Sequence, residues 1–74
     1  MALILYGKES CHLCDAAEGI LRGLGIPADY IDITSDAELF DRYGIRIPVL
    51  RRPDSGAELE WPFDAEAVSR FLGA

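Results

Sequence analysis

The sequence predicts an α/β fold in which a mixed four-stranded sheet is flanked by helices, in the order β-α-β-α-β-β-α. Short apolar runs that suit strands alternate with segments whose apolar residues recur about every 3.6 positions, as they do in amphipathic helices. The strand-helix-strand start implies a parallel strand pair joined by a right-handed crossover. A turn sequence from Pro53 to Gly56 separates the last two strand-like segments, which is typical of an antiparallel hairpin.

The N-terminal half of the chain is predicted to form a strand, a helix and a second strand. Ala2 to Tyr6 is a short apolar run that suits a strand buried on both faces. Ser10 can N-cap the helix that follows, and Gly25 with Pro27 ends it. Ala28 to Ile33 alternates polar and apolar residues, as a strand with one buried face does. The apolar side of the helix is expected to comprise Leu13, Ala17, Ile20, Leu21 and Leu24.

The C-terminal half is predicted to form a short helix, a hairpin and a final helix. Ser35 can cap the short helix over residues 36–44. Ile45 to Arg52 is interpreted as the third strand, interrupted by Pro48, and Ala57 to Trp61 as the fourth. Asp64 can cap the last helix. The residues expected to face inward are Leu39, Phe40 and Tyr43 in the short helix, and Ala67, Val68, Phe71 and Leu72 in the last one.

Length and charge restrict the class of protein. A chain of 74 residues is expected to form a single domain over residues 1–74. A net charge of −6 argues against a nucleic-acid partner, because phosphate binding needs a basic surface. The apolar start "MALILY" is too short for a signal peptide, and no run reaches the roughly 18 apolar residues that suggest a membrane span. We therefore expect a cytoplasmic monomer with no membrane partner.

The two cysteines, Cys11 and Cys14, are the main functional signal in the sequence. A disulfide between them closes a very short loop, which stabilises a fold by roughly 2 kcal/mol, the low end of the usual range. We therefore do not expect the two cysteines to serve mainly as a stabilising disulfide. In a reducing compartment a Cys-x-x-Cys pair indicates redox catalysis or metal binding. With His12 the chain offers fewer ligands than a closed zinc site needs, so no metal site is predicted within one chain.

The position of the pair predicts different roles for its two thiols. Cys11 is expected in the first turn of a helix, where unpaired N–H groups and the helix dipole stabilise a thiolate. We predict that Cys11 attacks a substrate disulfide and that Cys14, about one turn further in, resolves the mixed disulfide. Lys8 and His12 are candidates for favouring the Cys11 thiolate through positive charge. Asp15 and Glu18 act in the opposite direction, and their negative charge is expected to raise a thiol pKa.

Pro48 requires an explanation of its own, because proline lacks the N–H that a strand interior uses. One interpretation is a cis peptide bond at a place where another chain approaches. The other is a trans proline in an edge strand. The pattern of residues around Pro48 does not by itself decide between them.

Two segments, "LYGKESCHLC" and "IRIPVL", resemble the glutaredoxin-like proteins of the thioredoxin-fold superfamily, and the resemblance extends over nearly the whole chain. It implies a thioredoxin-like fold, thiol–disulfide exchange by Cys11 and Cys14, and a cis bond before Pro48. It also implies that the backbone of Ile47 pairs with an incoming peptide or glutathione as an added strand. Expected partners are therefore protein or small-molecule disulfides and thiols. No resident cofactor is implied, and glutathione is a candidate co-substrate.

The chain departs from the glutaredoxin pattern at two places. His12 and Leu13 stand between the cysteines, where glutaredoxins usually carry proline and tyrosine. Asp64 matches the aspartate that holds the γ-glutamyl group of glutathione, but Trp61 to Phe63 replace the glycine pair before it. We therefore expect a weakened glutathione pocket. Arg46, close to Pro48, is a candidate for holding a carboxylate of a thiol ligand.

Two further classes of function remain open from the sequence. A binding module with this fold would keep a partner surface without redox turnover. A metal or iron–sulfur carrier would need two chains to share a cluster, because one chain supplies too few thiolate and imidazole ligands.

Overall fold

The computed structural model describes residues 2–73, and its elements follow the predicted order. The strands are β1 (Leu3–Gly7), β2 (Ala28–Asp32), β3 (Val49–Arg51) and β4 (Glu58–Glu60). The helices are α1 (His12–Leu24), α2 (Ala37–Tyr43) and α3 (Ala65–Gly73), with a 3₁₀ turn at Ile33–Ser35. No helix within these residues is long and apolar enough to cross a membrane.

The four strands form one mixed sheet in the order β2-β1-β3-β4. β1 runs parallel to β2 and antiparallel to β3, and β3 pairs antiparallel with β4. The predicted α/β class with a mixed four-stranded sheet is therefore confirmed. β1 lies in the interior of the sheet and is paired on both sides. The chain leaves it at Gly7 and continues into the loop that leads to the cysteines.

Hydrophobic side chains cover both faces of the sheet. Successive residues of a strand point to opposite faces, so Leu5 and Tyr6 enter different clusters. One cluster joins the sheet to α1 and α3, and its buried members are Leu3, Leu5, Ala17, Leu21, Leu50, Phe63 and Val68. The other lies on the opposite face and contains Tyr6, Ile33, Tyr43 and Val49. The predictions that β1 is buried on both faces and that the last helix faces inward through Val68 and its neighbours are confirmed.

Two of the predicted helix caps are wrong by one residue. Ser10 has a left-handed backbone (φ 58°), and Cys11 takes the N-cap position of α1 instead. Ser35 belongs to the 3₁₀ turn, and the carboxylate of Asp36 accepts hydrogen bonds from Glu38 and the next backbone N–H at the start of α2. The cap of α3 is as predicted, because Asp64 Oδ1 accepts the Ala67 N–H at 2.8 Å.

The third strand begins later than predicted. Residues 44–46 form a turn in which the Arg46 and Ile47 N–H groups both donate to the Tyr43 carbonyl, at 2.8 and 3.2 Å. The strand starts at Val49, so Pro48 precedes the strand and does not interrupt it. Proline therefore removes no hydrogen bond from the β3 ladder.

Some residues predicted to be core are exposed. Leu13 is 49% exposed, Leu24 is 38% exposed and Phe40 is 51% exposed. The buried stripe of α1 consists of Cys14, Ala17 and Leu21, and Leu13 and Leu24 lie beyond its two ends. α2 has only seven residues and buries Tyr43 alone, so its neighbouring Phe40 remains at the surface.

Gly7 lies in a crowded position, and we predict that Gly7→Ala destabilises the fold. A Cβ on Gly7 would lie 2.8 Å from the Tyr30 hydroxyl oxygen and 3.0 Å from Cys14 Sγ. Overpacking of this kind costs about 1–3 kcal/mol in the free energy of unfolding, measured by denaturant titration. Gly19→Ala in α1 is the control, because no atom lies within 4 Å of its added Cβ. It is expected to stabilise the protein by about 0.5–1 kcal/mol. Equal effects of the two substitutions would contradict the packing around Gly7.

Candidate active site

The two cysteines lie at the junction between the β1 loop and α1, and a disulfide joins them. Their Cα atoms are 5.2 Å apart, within the normal range for a disulfide. Cys11 is partly exposed, whereas Cys14 is 0% exposed. Of the two sulfurs, only that of Cys11 can therefore react with a molecule from solution.

Cys11 acts as the N-cap of α1 through its sulfur. Its backbone is extended (φ −109°, ψ 105°), and its Sγ accepts a hydrogen bond from the Cys14 N–H at 3.2 Å. A cap that accepts from the free N–H groups of a first turn lies at the positive end of the helix dipole. When the disulfide is reduced, the same N–H and dipole favour a thiolate at Cys11.

Cys14 Sγ faces β1 and the side chain of Tyr30 on β2. Both Cys14 Sγ and the Tyr30 hydroxyl lie within about 3 Å of the point where Gly7 would carry a Cβ. In the sequence, Tyr30 is only one residue of the predicted second strand, and nothing in the pattern indicates its place at the site. The parallel register of β1 and β2, which pairs Leu5 with Tyr30, brings the ring beside Gly7, and single-sequence patterns do not specify that register.

Burial and nearby negative charges act on the Tyr30 hydroxyl. Burial raises the pKa of Tyr30, and the negative charges of Asp32, Glu18, Asp15 and Glu9 raise it further. The pKa of Asp32 is itself lowered, chiefly by the hydrogen bond from the Thr34 hydroxyl. Asp32 is therefore ionised at neutral pH, and the phenol of Tyr30 stays protonated.

Lys8 and His12 lie on the exposed side of the cysteine loop. Both side chains are solvent-exposed and make no hydrogen bond or ion pair with another residue between positions 2 and 73. His12 is the first residue of α1 and directly follows Cys11. The predicted tuning of the Cys11 thiolate by these two residues stays a prediction.

The peptide bond between Ile47 and Pro48 is cis, as predicted, and Pro48 is fully buried. The Pro48 carbonyl accepts the Trp61 N–H at 3.2 Å, which ties the proline to the β4 side of the sheet. The Ile47 N–H donates to the Tyr43 carbonyl. Within residues 2–73 the Ile47 carbonyl accepts no hydrogen bond, so this oxygen is the group available to an incoming backbone.

Arg46 is engaged with its own chain. Its guanidinium donates to Glu58 and Glu60 at 3.2 Å each and lies 5.3 Å from the centroid of the Tyr43 ring. Hydrogen bonding to Glu60 is the main cause that raises the pKa of Arg46. The Tyr43 hydroxyl also donates to Glu58. These contacts hold the loop between α2 and β3, called here the Pro48 loop, against β4. Arg46 would therefore have to release one of its carboxylate partners before it could bind a carboxylate of a ligand.

The segment before α3 is filled by aromatic side chains. Phe63 is buried and packs edge-on against Trp61, with ring centroids 5.0 Å apart. The Trp61–Pro62 peptide bond is also cis. Asp64 uses its carboxylate to cap α3. The predicted role of Asp64 in holding a γ-glutamyl group stays a prediction.

No group of three histidine, cysteine or acidic side chains able to hold a metal ion occurs in residues 2–73. The donor set at the site consists of two thiols with an exposed imidazole beside them. A shared cluster would therefore need ligands from outside one chain.

The family model described as "Glutaredoxin-like domain (DUF836)" matches residues 2–73. The chain belongs to this glutaredoxin-like family. The match extends over the whole described part of the chain, including both cysteines and Pro48. The resemblance predicted from "LYGKESCHLC" and "IRIPVL" is confirmed at the level of the family.

Solved structures agree with this assignment. The X-ray structure of target protein XcR50 from X. campestris is 45% identical, with a TM-score of 0.88, over 97% of this chain and 96% of that one. Protein Ne2328 from Nitrosomonas europaea is 29% identical, with a TM-score of 0.80, over 95% of this chain and 88% of that one. No curated protein matches the chain.

A likeness to thioredoxin 1 from Thermosipho africanus extends across 99% of this chain and 96% of that one, with 15% identity and a TM-score of 0.56. At that identity it shows the fold alone, and the predicted thioredoxin-like fold is confirmed. The protein is thus a glutaredoxin-like domain of thioredoxin fold that carries a Cys-x-x-Cys pair, an arrangement suited to redox chemistry.

We predict that the Cys11 thiol of the reduced glutaredoxin-like domain ionises below the pKa of about 8.5 of a free cysteine, and below that of Cys14. The hydrogen bond from the Cys14 N–H favours the Cys11 thiolate, whereas burial disfavours a thiolate at Cys14. Alkylation rates against pH in Cys14→Ser and Cys11→Ser variants measure the two thiols separately. Faster labelling of Cys14 at neutral pH would reverse the assignment of nucleophile and resolving thiol.

Proposed function

We propose that this glutaredoxin-like protein is a dithiol–disulfide oxidoreductase in which Cys11 is the nucleophile and Cys14 the resolving thiol. The observation that carries the proposal is the unequal environment of the two sulfurs. Cys11 is partly exposed and capped onto the start of α1, while Cys14 is fully buried one turn further along. An exposed thiolate in contact with a protected partner thiol is the arrangement that two-step exchange requires.

The proposed reaction transfers two electrons from the dithiol to a substrate disulfide. The Cys11 thiolate attacks one substrate sulfur, the substrate S–S bond breaks, and the first substrate thiolate leaves and takes a proton from water. Cys14 then loses its proton, attacks Cys11 Sγ of the mixed disulfide, and releases the second substrate thiolate. The product is the Cys11–Cys14 disulfide, which an external thiol or reductase must reduce.

The proposed substrates are protein or small-molecule disulfides. The unpaired Ile47 carbonyl beside Pro48 supports an extended backbone as part of the substrate, because a carbonyl can accept the N–H of an added strand. We further propose that the protein works as a monomer in the cytoplasm, where thiols are kept reduced. Its net charge of −6 supports partners other than nucleic acid.

The two cysteine variants should separate the steps of the reaction. Cys11→Ser is expected to abolish reduction of a small disulfide, since Cys14 has no access to solution. Cys14→Ser is expected to form the mixed disulfide with Cys11 but not to release the second thiol. Mass spectrometry of the trapped species checks both outcomes. If the double Cys→Ser variant supports the same cellular function as the unaltered chain, the protein is a binding module and the proposal is wrong.

We predict low turnover when glutathione is the reductant. The buried Phe63 ring fills the segment where a glycine pair would let glutathione approach the backbone. A coupled assay should therefore show slower reduction by glutathione than by thioredoxin reductase. Rapid glutathione turnover by the unaltered chain would contradict this expectation.

The variant that tests the pocket has to spare Phe63, because removing a buried phenylalanine costs about 3–5 kcal/mol in stability. Pro62 is exposed, so Pro62→Gly is suitable, and it is expected to raise glutathione turnover by freeing the backbone before Asp64. Pro53→Gly in the exposed hairpin turn is the matched control and should leave turnover unchanged. An equal response of the two variants would show that the segment before α3 does not limit glutathione.

A further inference from the structure

We propose that Tyr30 is a positioning residue for the resolving thiol: after the disulfide is reduced, its hydroxyl donates a hydrogen bond to Cys14 Sγ and favours the Cys14 thiolate. The inference rests on the proposed function, because it assigns a role within the second step of the exchange. It concerns a residue on β2, outside the cysteine loop and outside the Pro48 loop.

Gly7 has no side chain and so leaves room beside β1 for both Tyr30 and Cys14. In the parallel register, Leu5 pairs with Tyr30 and Gly7 pairs with Asp32. The tyrosine ring extends along β1 from the level of Leu5 to that of Gly7, where its hydroxyl and Cε2 lie 2.8 and 3.1 Å from the position of an added Cβ. Cys14 Sγ lies 3.0 Å from the same position. Any side chain at this residue would crowd both the hydroxyl and the sulfur.

Cys14 needs such a donor more than Cys11 does. The Cys14 sulfur is 0% exposed, so water does not solvate its thiolate, and burial disfavours the charged form. The Cys14 N–H in the first turn of α1 donates to Cys11 Sγ and not to the sulfur of Cys14 itself. No hydrogen bond to the Tyr30 hydroxyl occurs within residues 2–73, so this donor is uncommitted. Reduction frees Cys14 Sγ from Cys11, and the sulfur can then turn toward the hydroxyl.

The charges around Tyr30 keep the hydroxyl a donor. Asp32 on the same strand, Glu18 and Asp15 on α1, and Glu9 in the preceding loop all disfavour a phenolate. Burial disfavours a thiolate at Cys14, and a neutral hydrogen-bond donor can offset this without adding charge. Tyr30 keeps its own proton throughout. The Cys14 proton passes to solvent water, and the departing substrate thiolate is protonated by water.

The first test measures the pKa of Cys14 directly in a Cys11→Ser background. The NMR shift of the Cys14 Cβ is followed against pH with and without Tyr30→Phe, which removes only the hydroxyl. Loss of a hydrogen bond to a charged group is expected to raise the Cys14 pKa by about one unit. Tyr43→Phe is the matched control, since it removes a phenol hydroxyl that donates to Glu58 on the opposite face of the sheet. An unchanged pKa in Tyr30→Phe, or an equal rise in Tyr43→Phe, would overturn the inference.

The second test uses the reduced chain with both cysteines. Dithiobis(nitrobenzoate) releases one thionitrobenzoate when Cys11 attacks it and a second when Cys14 resolves the mixed disulfide. Tyr30→Phe is expected to slow the second release about tenfold at a pH below the Cys14 pKa and to leave the first unchanged. Slowing of the first release alone would contradict a role at Cys14.

Gly7→Ala provides an independent variant that keeps the tyrosine. Its Cβ would crowd both the hydroxyl and Cys14 Sγ and keep them apart, so adding Tyr30→Phe to Gly7→Ala should slow the second release no further. A further slowing in the double variant would place the effect of Tyr30 elsewhere. The Cys14 pKa can be measured without substrate turnover. If Tyr30→Phe raises this pKa but the unaltered chain reduces no disulfide, the proposed function is wrong, whereas the hydrogen bond from Tyr30 to Cys14 is still supported.

Discussion

The contact on which the site depends is the hydrogen bond from the Cys14 N–H to Cys11 Sγ at 3.2 Å. It begins α1, and it sets the reactive sulfur against the positive end of that helix. It also fixes the second sulfur one turn inward, against the sheet. One side chain is thus both the helix cap and the proposed nucleophile. A thiolate strengthens this hydrogen bond relative to a thiol, so ionisation of Cys11 and stability of the first turn support each other.

The sheet positions the cysteine loop and the Pro48 loop relative to each other. β1 and β3 are adjacent, so the loop after Gly7 and the loop before Val49 emerge at the same end of an antiparallel pair. Arg46 binds Glu58 and Glu60, and the Pro48 carbonyl accepts the Trp61 N–H. The cysteine loop is therefore supported by a helix start, and the Pro48 loop by the β3–β4 hairpin.

Local patterns in the sequence were sufficient for the element order and for the cap at Asp64. They failed where two neighbouring residues could fill the same role. Ser10 and Cys11 can both cap a helix, and the left-handed backbone at Ser10, which the amino-acid type does not reveal, gives the position to Cys11. Ser35 and Asp36 present the same ambiguity, which the 3₁₀ turn resolves in favour of Asp36.

Two further features of the site depend on strand register and could not be predicted. The pairing of β3 with β4 brings Glu58 and Glu60 within reach of the guanidinium of Arg46, a candidate for holding a ligand carboxylate. Tyr30 reaches the cysteines only because β2 pairs with β1 at the offset that sets it against Leu5. A shift of a strand by one residue would turn its side chain to the other face of the sheet. Periodicity predicts that a strand exists, and it does not determine that offset.

Charged residues are distributed unequally around the two sulfurs, and this gives the proposed order of their reactions a physical basis. Lys8 and His12 flank Cys11 in the sequence on the exposed side, whereas Glu9, Asp15, Glu18 and Asp32 act on the tyrosine beside Cys14. A Cys14 that ionised as readily as Cys11 would compete for the substrate disulfide if it were exposed. Burial removes that competition, and it disfavours a thiolate at Cys14 until the proposed mixed disulfide brings an electrophilic sulfur to it.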